Sequence, residues 1–217
     1  MTVMGLANSV PIVMILNKED GSIEKFFTVT TVASYTTTPK FQTHNAFFFE
    51  EEDPQDGNPY IYLSFLMNTY YMKIVKFKYD ATYFDVMFNK FQYVATTAQL
   101  PIQMFPDSRE TSQIYLGGQI NAVGGIMKFN RDSGRVAWYQ TFSQLTVVSS
   151  MIEVENEAHI IGCGWYTTDL SAGFFRLGND GQFQYFYKVS VDTATSATNK
   201  CYGITYDRTN ALISLLF

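Results

Sequence analysis

One pattern recurs along the chain: a hydrophobic strand, a turn that ends near a glycine, and a second strand rich in aromatic residues. Asp-Gly and Ser-Gly sequences tolerate the positive φ that a tight hairpin demands. We therefore predict structural hairpin turns at Gly21, Gly134 and Gly181. A degenerate copy at 72–86 has Ala81 and Thr82 where the others have glycine. The three copies with glycine span 12–27, 125–139 and 173–187.

A second hairpin accompanies most of these copies, so that each full unit contains four short strands, which we name A, B, C and D. Successive B strands begin 54, 45 and 53 residues apart, at Tyr60, Ile114, His159 and Leu212. A period of about 50 residues is typical of the four-stranded blade of a β-propeller. The A–B hairpins span 46–63, 103–118, 150–164 and 202–216.

The composition agrees with an all-β fold that is strand-rich and almost without helix. Aromatic residues make up 17% of the chain, which suits half-buried strands, and 47% of residues are hydrophobic, which suffices for a sizeable core. A β-sandwich fits the same density of strands, but the repeated A-B-C-D order favours a β-propeller. We predict that residues 1–217 form a single propeller domain or a fragment of a larger propeller.

The register of the repeats predicts incomplete blades at both ends. Residues Thr2–Ala7 match strand B, and the last strand, at 211–217, also matches strand B. The pattern gives seventeen candidate strands, which is about four blades of four strands and one strand more. A closed propeller has a whole number of blades. An apolar edge strand is a template for pairing with another chain. We therefore expect another polypeptide to complete or contact the open blade edges.

The third unit carries a resemblance to a known family. Ile114–Gly118 and Gly125–Trp138 resemble the repeat of quinoprotein-like and related bacterial-type β-propellers. That repeat has a Gly-rich strand B, a Lys-hydrophobic strand C, a Gly turn and a Trp in strand D. The second and fourth units have Phe84 and Tyr185 near the Trp position. The resemblance implies the propeller fold, and we expect Trp138 to pack, mostly buried, between blades.

The chemistry of a quinone-dependent enzyme is not visible in the sequence. Such an enzyme needs stacking tryptophans, a metal-binding acid and often adjacent cysteines, but the chain has only Trp138 and Trp165, and its two cysteines are far apart. We therefore predict no cofactor. We also predict that Cys163 and Cys201 are free thiols, because buried free cysteines are common core residues.

Three other groups of residues are interpreted as structural, and we predict neither a catalytic nor a metal site. The acidic run suits a solvated turn, the histidines lack neighbours at metal-ligand spacing, and alternating glutamates suit an exposed strand end. These groups are Glu50–Asp53 with Asp56, His44 with His159, and Glu153 with Glu155 and Glu157.

The charge and hydropathy of the chain argue against two classes of partner. The formal net charge is −5 and the pI is about 5.0, whereas nucleic-acid binders normally present a basic face. The longest uninterrupted apolar run, Val10–Leu16, is far shorter than the roughly 20 residues of a membrane-spanning helix. We predict no nucleic-acid partner and no direct membrane span.

Two functions remain open from the sequence. The absence of a catalytic constellation favours a non-catalytic propeller that acts as a scaffold or protein-interaction module within a larger assembly. The alternative is a ligand-binding or hydrolytic propeller whose site residues lie in missing blades. Propellers host many unrelated activities, so the predicted fold does not choose between them.

Overall fold

The computed structural model of the chain consists of antiparallel strands, and no helix occurs among the described residues. The strands fall into two compact units, 1–94 and 95–217, which we describe separately. That the whole chain forms one domain stays a prediction. The described residues are 2–7, 10–28, 47–52, 59–67, 71–79, 84–89, 93–94, 100–154, 158–166, 168, 171–189, 200–207 and 209–216.

The first unit contains two antiparallel sheets. One has the order β1-β2-β3, and the other has the order β4-β5-β6-β7 with the short strand β8 paired to β6. The strands are β1 (Thr2–Ala7), β2 (Val10–Leu16), β3 (Ile23–Thr28), β4 (Phe47–Glu52), β5 (Pro59–Met67), β6 (Tyr71–Tyr79), β7 (Phe84–Asn89) and β8 (Tyr93–Val94).

The second unit contains two four-stranded sheets, in the orders β12-β11-β10-β9 and β13-β14-β15-β16, and the hairpin β17-β18. The prediction of an all-β fold built from consecutive four-stranded antiparallel sheets is confirmed. Only β8 has no counterpart among the predicted strands. The strands are β9 (Leu100–Pro106), β10 (Gln113–Ile120), β11 (Val123–Asn130), β12 (Val136–Phe142), β13 (Leu145–Val154), β14 (His159–Tyr166), β15 (Ala172–Gly178), β16 (Phe183–Val189), β17 (Gly203–Asp207) and β18 (Leu212–Leu216).

Three of the turns between strands C and D contain a glycine with positive φ. Gly21, Gly134 and Gly181 have φ of 73°, 69° and 82°, in the left-handed region that favours glycine. In the β11–β12 turn the N–H of Gly134 donates to the carbonyl of Asn130 at 2.8 Å, and the Asn130 side chain accepts two further backbone N–H groups. The local sequence therefore closes this hairpin without help from the rest of the chain.

Close approach between sheets depends on glycines within the strands. A Cβ built on Gly124 of β11 would lie 2.7 Å from the Cβ of Leu145, and one on Gly117 of β10 would lie 2.7 Å from the sulfur of Met151. Both neighbours belong to β13, which contacts β9, β10 and β11 of the preceding sheet. Because glycine has no side chain, β13 can pack directly on the face of that sheet at these two positions.

The core of the second unit lies between its sheets rather than within one of them. One cluster joins the sheet β9–β12 to the sheet β13–β16, and another joins the sheet β13–β16 to the hairpin β17–β18. Strand β14 serves both, because successive side chains point to opposite faces. The first cluster contains Tyr115, Ile126, Phe142, Leu145, Val148, Met151, Ile160, Phe175 and Leu177. The second contains Val154, Ile161, Cys163, Ala172, Cys201 and Ile204.

The prediction of free thiols is wrong. Cys163 and Cys201 form a disulfide whose Cα atoms are 6.0 Å apart, and both residues are fully buried. Cys163 lies in β14 and Cys201 lies two residues before β17. Packing of the hairpin β17–β18 on the sheet β13–β16 brings the two sulfurs together, and sequence spacing does not report this packing.

We predict that Gly162→Ala destabilises the second unit and that Gly203→Ala does not. A Cβ on Gly162 would overlap the ring of Phe175, which is fully buried and has no room to withdraw. Overpacking of this kind costs about 1 to 3 kcal/mol in the free energy of unfolding. The nearest side-chain atom to a Cβ on Gly203 is at 3.6 Å, an ordinary contact. Denaturant titration of both variants tests the pair, and equal losses would contradict the packing described.

Candidate functional site

Trp138 of β12 packs on the next sheet. Its ring lies against Gly181, where an added Cβ would come within 2.7 Å of ring atom Cδ2. Its indole N–H donates to the carbonyl oxygen of Asn179 at 3.1 Å. The side chain is partly buried at the edge of the core cluster that joins these two sheets. Trp138 thus attaches β12 to the β15–β16 turn.

A buried carboxylate, Asp107, follows β9. Its Oδ1 accepts the backbone N–H groups of Arg109 at 2.8 Å and Glu110 at 3.0 Å. Its Oδ2 accepts the hydroxyl of Tyr115 at 2.8 Å and lies 2.7 Å from Nζ of Lys128. Both carboxylate oxygens are therefore fully used, and the residue is only 2% exposed.

Lys128 of β11 connects this carboxylate to the neighbouring sheet. Its ammonium lies 2.5 Å from Oε2 of Glu110, 3.5 Å from the carbonyl of Asn179 and 5.3 Å from the ring centre of Tyr115. Asn179 also accepts the N–H of Trp138. We call the set Asp107, Glu110, Tyr115, Lys128 and Asn179 the inter-sheet clamp.

The charges of the clamp stabilise one another. Burial opposes ionisation of Asp107, but the ammonium of Lys128 and the N–H donors of the turn outweigh burial and lower the pKa of the carboxyl. Burial likewise opposes the charge of Lys128, and Asp107 and Glu110 together raise its pKa. Burial and the hydrogen bond to Asp107 raise the pKa of Tyr115. These shifts favour an ionised Asp107, a charged Lys128 and a neutral Tyr115.

Parts of the clamp recur elsewhere in the chain, which indicates a structural role. Asp207 is the last residue of β17, much as Asp107 comes directly after β9, and its Oδ1 accepts the N–H of Thr209 at 2.9 Å. Lys76 of β6 is buried, pairs across the strands with Tyr62 of β5, and lies 5.3 Å from that ring centre. A side-chain arrangement repeated in several units belongs to the repeat rather than to one reaction.

Glu153, near the end of β13, is less well satisfied. Its Oε2 accepts the backbone N–H of Ser108 at 2.8 Å. Its Oε1 is buried and has no hydrogen-bond partner among the described residues. Burial raises the pKa of this carboxyl, and the nearby charge of Asp107 raises it further, against the opposing effect of Ser108.

Near the other end of β14 lies a group of two aromatic side chains and one cationic side chain, in which Trp165 and Lys200 are half-buried. The rings of Trp165 and Tyr202 have centroids 6.1 Å apart and planes inclined by 48°. The Nζ of Lys200 lies over the Trp165 ring, 5.1 Å from its centroid. Tyr202 is 57% exposed. We call Trp165, Lys200 and Tyr202 the aromatic platform.

The two groups are separated by the length of a strand. Glu153 pairs with Ile160 at the beginning of β14, whereas Trp165 lies near its end. The five residues from Ile160 to Trp165, at about 3.3 Å each, put the two groups roughly 16 Å apart along the strand. Sequence reasoning noted Trp165 and Glu153 but did not place either in a site, because Lys200 and Tyr202 follow a long connection and carry no motif.

The other residues singled out in the sequence do not form a site. His159 begins β14 and pairs with Val154, and Glu50, Glu51 and Glu52 lie in β4. In the part of the chain that the structure describes, no three His, Cys, Asp or Glu side chains could hold a metal ion. No described helix is long and apolar enough to cross a membrane. His44, Asp53, Asp56, Ala81, Thr82, Glu155 and Glu157 lie outside the described residues.

No protein-family model and no curated protein matches this chain. Among solved structures, it is similar to a candidate 6-phosphogluconolactonase from Bacteroides uniformis, with TM-score 0.58 and 12% identity over 99% of this chain. It is also similar to the Dos1 propeller, with TM-score 0.55 and 10% identity over 94% of this chain. A candidate 6-phosphogluconolactonase from Bacteroides fragilis gives TM-score 0.52 and 12% identity over 96%.

These likenesses confirm the β-propeller fold. The chain spans 59%, 47% and 64% of the length of those three structures. The prediction of a non-catalytic scaffold or interaction module is wrong, because two of the three are described as candidate 6-phosphogluconolactonases, which favours the alternative of a ligand-binding or hydrolytic propeller. The prediction of a partner polypeptide at the open blade edges stays a prediction.

We predict that Lys128→Met lowers the free energy of unfolding by about 3 kcal/mol, because it leaves the buried carboxylate of Asp107 without its counter-ion. Glu110→Gln is the matched control, since the Glu110 side chain is 57% exposed and an exposed pair contributes less than about 1 kcal/mol. Both variants are compared by denaturant unfolding at neutral pH. A Lys128 variant as stable as the control would show that the clamp contributes nothing.

We predict that Glu153→Gln stabilises the protein increasingly as pH rises. The raised pKa means that stability from Glu153 is present below the ordinary value of 4.5 and is lost as pH rises through the folded pKa. Glutamine removes that loss. Asp107→Asn is the control of opposite sign, because the lowered pKa of Asp107 contributes stability that is lost as pH falls. Unfolding free energies measured between about pH 2 and 7 cover both groups, because the change from Asp107 occurs below its ordinary pKa of 3.8. Parallel slopes would refute the assignment.

Proposed function

We propose that this chain is part of a ligand-binding propeller that takes a small anionic sugar derivative, such as a phosphorylated sugar acid, at the aromatic platform. The observation that carries the proposal is the exposed ring of Tyr202 beside Trp165, with the ammonium of Lys200 over the tryptophan. The side chain of Tyr202 is more than half exposed, so a ligand in solution can reach it.

The platform offers the two kinds of contact that such a ligand needs. An exposed aromatic ring presents a flat apolar face to the C–H groups of a sugar. An ammonium is a point charge that binds phosphate or carboxylate oxygens. The cation–π contact holds Lys200 beside the rings, so that its charge is already positioned when a ligand arrives.

Binding is better supported than hydrolysis by the described residues. A hydrolase needs a carboxylate or another general base within hydrogen-bond reach of the bound substrate. Glu153 has a raised pKa that suits such chemistry, but it lies at the other end of the strands from the platform. The descriptions of two similar propellers as candidate 6-phosphogluconolactonases support a sugar-phosphate class of ligand, at the level of fold.

The quinoprotein-like character of the repeat belongs to the same proposal. We propose that the repeat unit of this chain is related to the quinoprotein-like repeat. The support is the segment from Gly125 to Trp138, which forms most of β11, the glycine turn and the first part of β12 with its tryptophan. No quinone chemistry is proposed, because this repeat resemblance concerns the packing of blades rather than a cofactor bed.

We predict that the chain binds 6-phosphogluconate and that Trp165→Ala or Lys200→Gln weakens binding by about tenfold or more. Titration calorimetry measures the affinity, which should also fall as salt screens the Lys200 charge. Tyr139→Ala is the control, because Tyr139 is a similarly exposed aromatic on strand β12, 52% exposed and away from the platform. If the wild-type chain does not bind, or if Tyr139→Ala weakens binding equally, the proposal fails.

A further inference from the structure

The aromatic platform is assembled from two segments that are distant in sequence. Trp165 belongs to β14, whereas Lys200 and Tyr202 precede β17. Nothing in the local sequence keeps these segments together, so their spacing must be set by the contacts between β14 and the start of the hairpin β17–β18.

A disulfide lies at the junction of these two segments. Cys201 stands between Lys200 and Tyr202, and Cys163 stands two residues before Trp165 in β14. Residues two apart in a strand point to the same face of the sheet. The bond therefore joins the residues that carry the two halves of the platform, on the face where the platform forms.

The polar surroundings of the bond hold both backbones. The hydroxyl of Ser149 in β13 lies 3.1 Å from the carbonyl oxygen of Cys163 and also bonds to the carbonyl oxygen of Cys201. One side chain of β13 thus spans the same pair of segments that the disulfide joins. Both cysteines are fully buried.

The remaining attachments of the hairpin are weaker. Strand β18 is mostly exposed, with Leu212 58% and Leu216 65% exposed. Ile204 is buried against the sheet, and its N–H donates to Ser150 at 3.3 Å. A two-stranded hairpin with one buried row has marginal stability by itself, so the covalent bond supplies much of the constraint on its position.

We infer that the Cys163–Cys201 disulfide positions the aromatic platform and makes ligand binding there sensitive to thiol–disulfide exchange. Attack by a dithiol opens the bond, which leaves two thiols on the protein and a disulfide on the reductant, with two electrons passing from reductant to protein. The released segment 200–202 then no longer holds Lys200 and Tyr202 beside Trp165. Because the sulfurs are buried, exchange requires the hairpin to open locally. The ligand part of this inference rests on the proposed function, whereas the positioning part does not.

The experiment follows the platform with and without ligand. The 217-residue chain, with ¹³C-labelled lysine, is measured before and after full reduction by dithiothreitol, with completion checked by thiol titration. In the oxidised protein the ε-methylene signal of Lys200, assigned with Lys200→Gln, is shifted by the Trp165 ring. We expect reduction, or the double variant Cys163→Ala with Cys201→Ala, to abolish this shift and to raise the Kd for 6-phosphogluconate about tenfold or more.

Ile204→Ala is the matched control, because it weakens packing of the same hairpin while leaving the disulfide in place. We expect the Lys200 signal and the Kd of this oxidised variant to stay close to those of the wild type. Equal loss in Ile204→Ala and in the reduced protein would overturn the inference, because general weakening of the hairpin would then explain both.

The remaining outcomes separate the inference from the proposed function. If the oxidised chain shows the shifted signal but does not bind 6-phosphogluconate, the proposed function fails while the positioning role is decided by the signal alone. If complete reduction leaves both the signal and the Kd unchanged, the disulfide does not position the platform. If reduction unfolds the whole protein, as judged by loss of the near-ultraviolet circular dichroism, the bond is a general stabiliser and the inference is overturned.

Discussion

The second unit depends on the direct packing of β13 against the sheet that precedes it. Gly117 and Gly124 leave the face of that sheet open, and Met151 and Leu145 fill the space. A side-chain hydrogen bond also connects the first strand of one sheet to the first strand of the next. The side chain of Gln103 in β9 accepts the N–H of Met151 in β13 at 2.8 Å. Because interiors tolerate little change in volume, this approach fixes where every later strand of the unit lies.

The two ends of the strands in the sheet β13–β16 differ in chemistry. Near one end, Asp107 and Lys128 of the preceding sheet are buried with their bonding capacity used, which makes the clamp a part of the architecture. At the other end, Tyr202 is exposed, and the half-buried Lys200 lies over the half-buried ring of Trp165. The proposed recognition of a small anionic ligand uses the second kind of surface, which offers aromatic rings and an ammonium.

Much of the fold was predictable because its signals are local. The glycine turns and the alternation of apolar residues act within one hairpin, and the period of about 50 residues repeats them along the chain. The observed strands overlap the predicted ones, although several are longer, such as β13, which begins at Leu145 rather than at Ser150. The short strand β8 was missed because two residues carry no pattern. The expected scaffold function was wrong because it rested on missing motifs, whereas a platform of two rings and an amine needs no motif.

The sequence by itself determined the hairpins: Asn130 and Gly134 close their turn through bonds to near neighbours, whatever the rest of the chain does. Only the tertiary structure decided which hairpins meet. Cys163 and Cys201 are separated by 38 residues, and Lys128 and Asn179 by 51. Distances between such residues are set by the packing of one sheet on the next, which depends on the shape and volume of many side chains together.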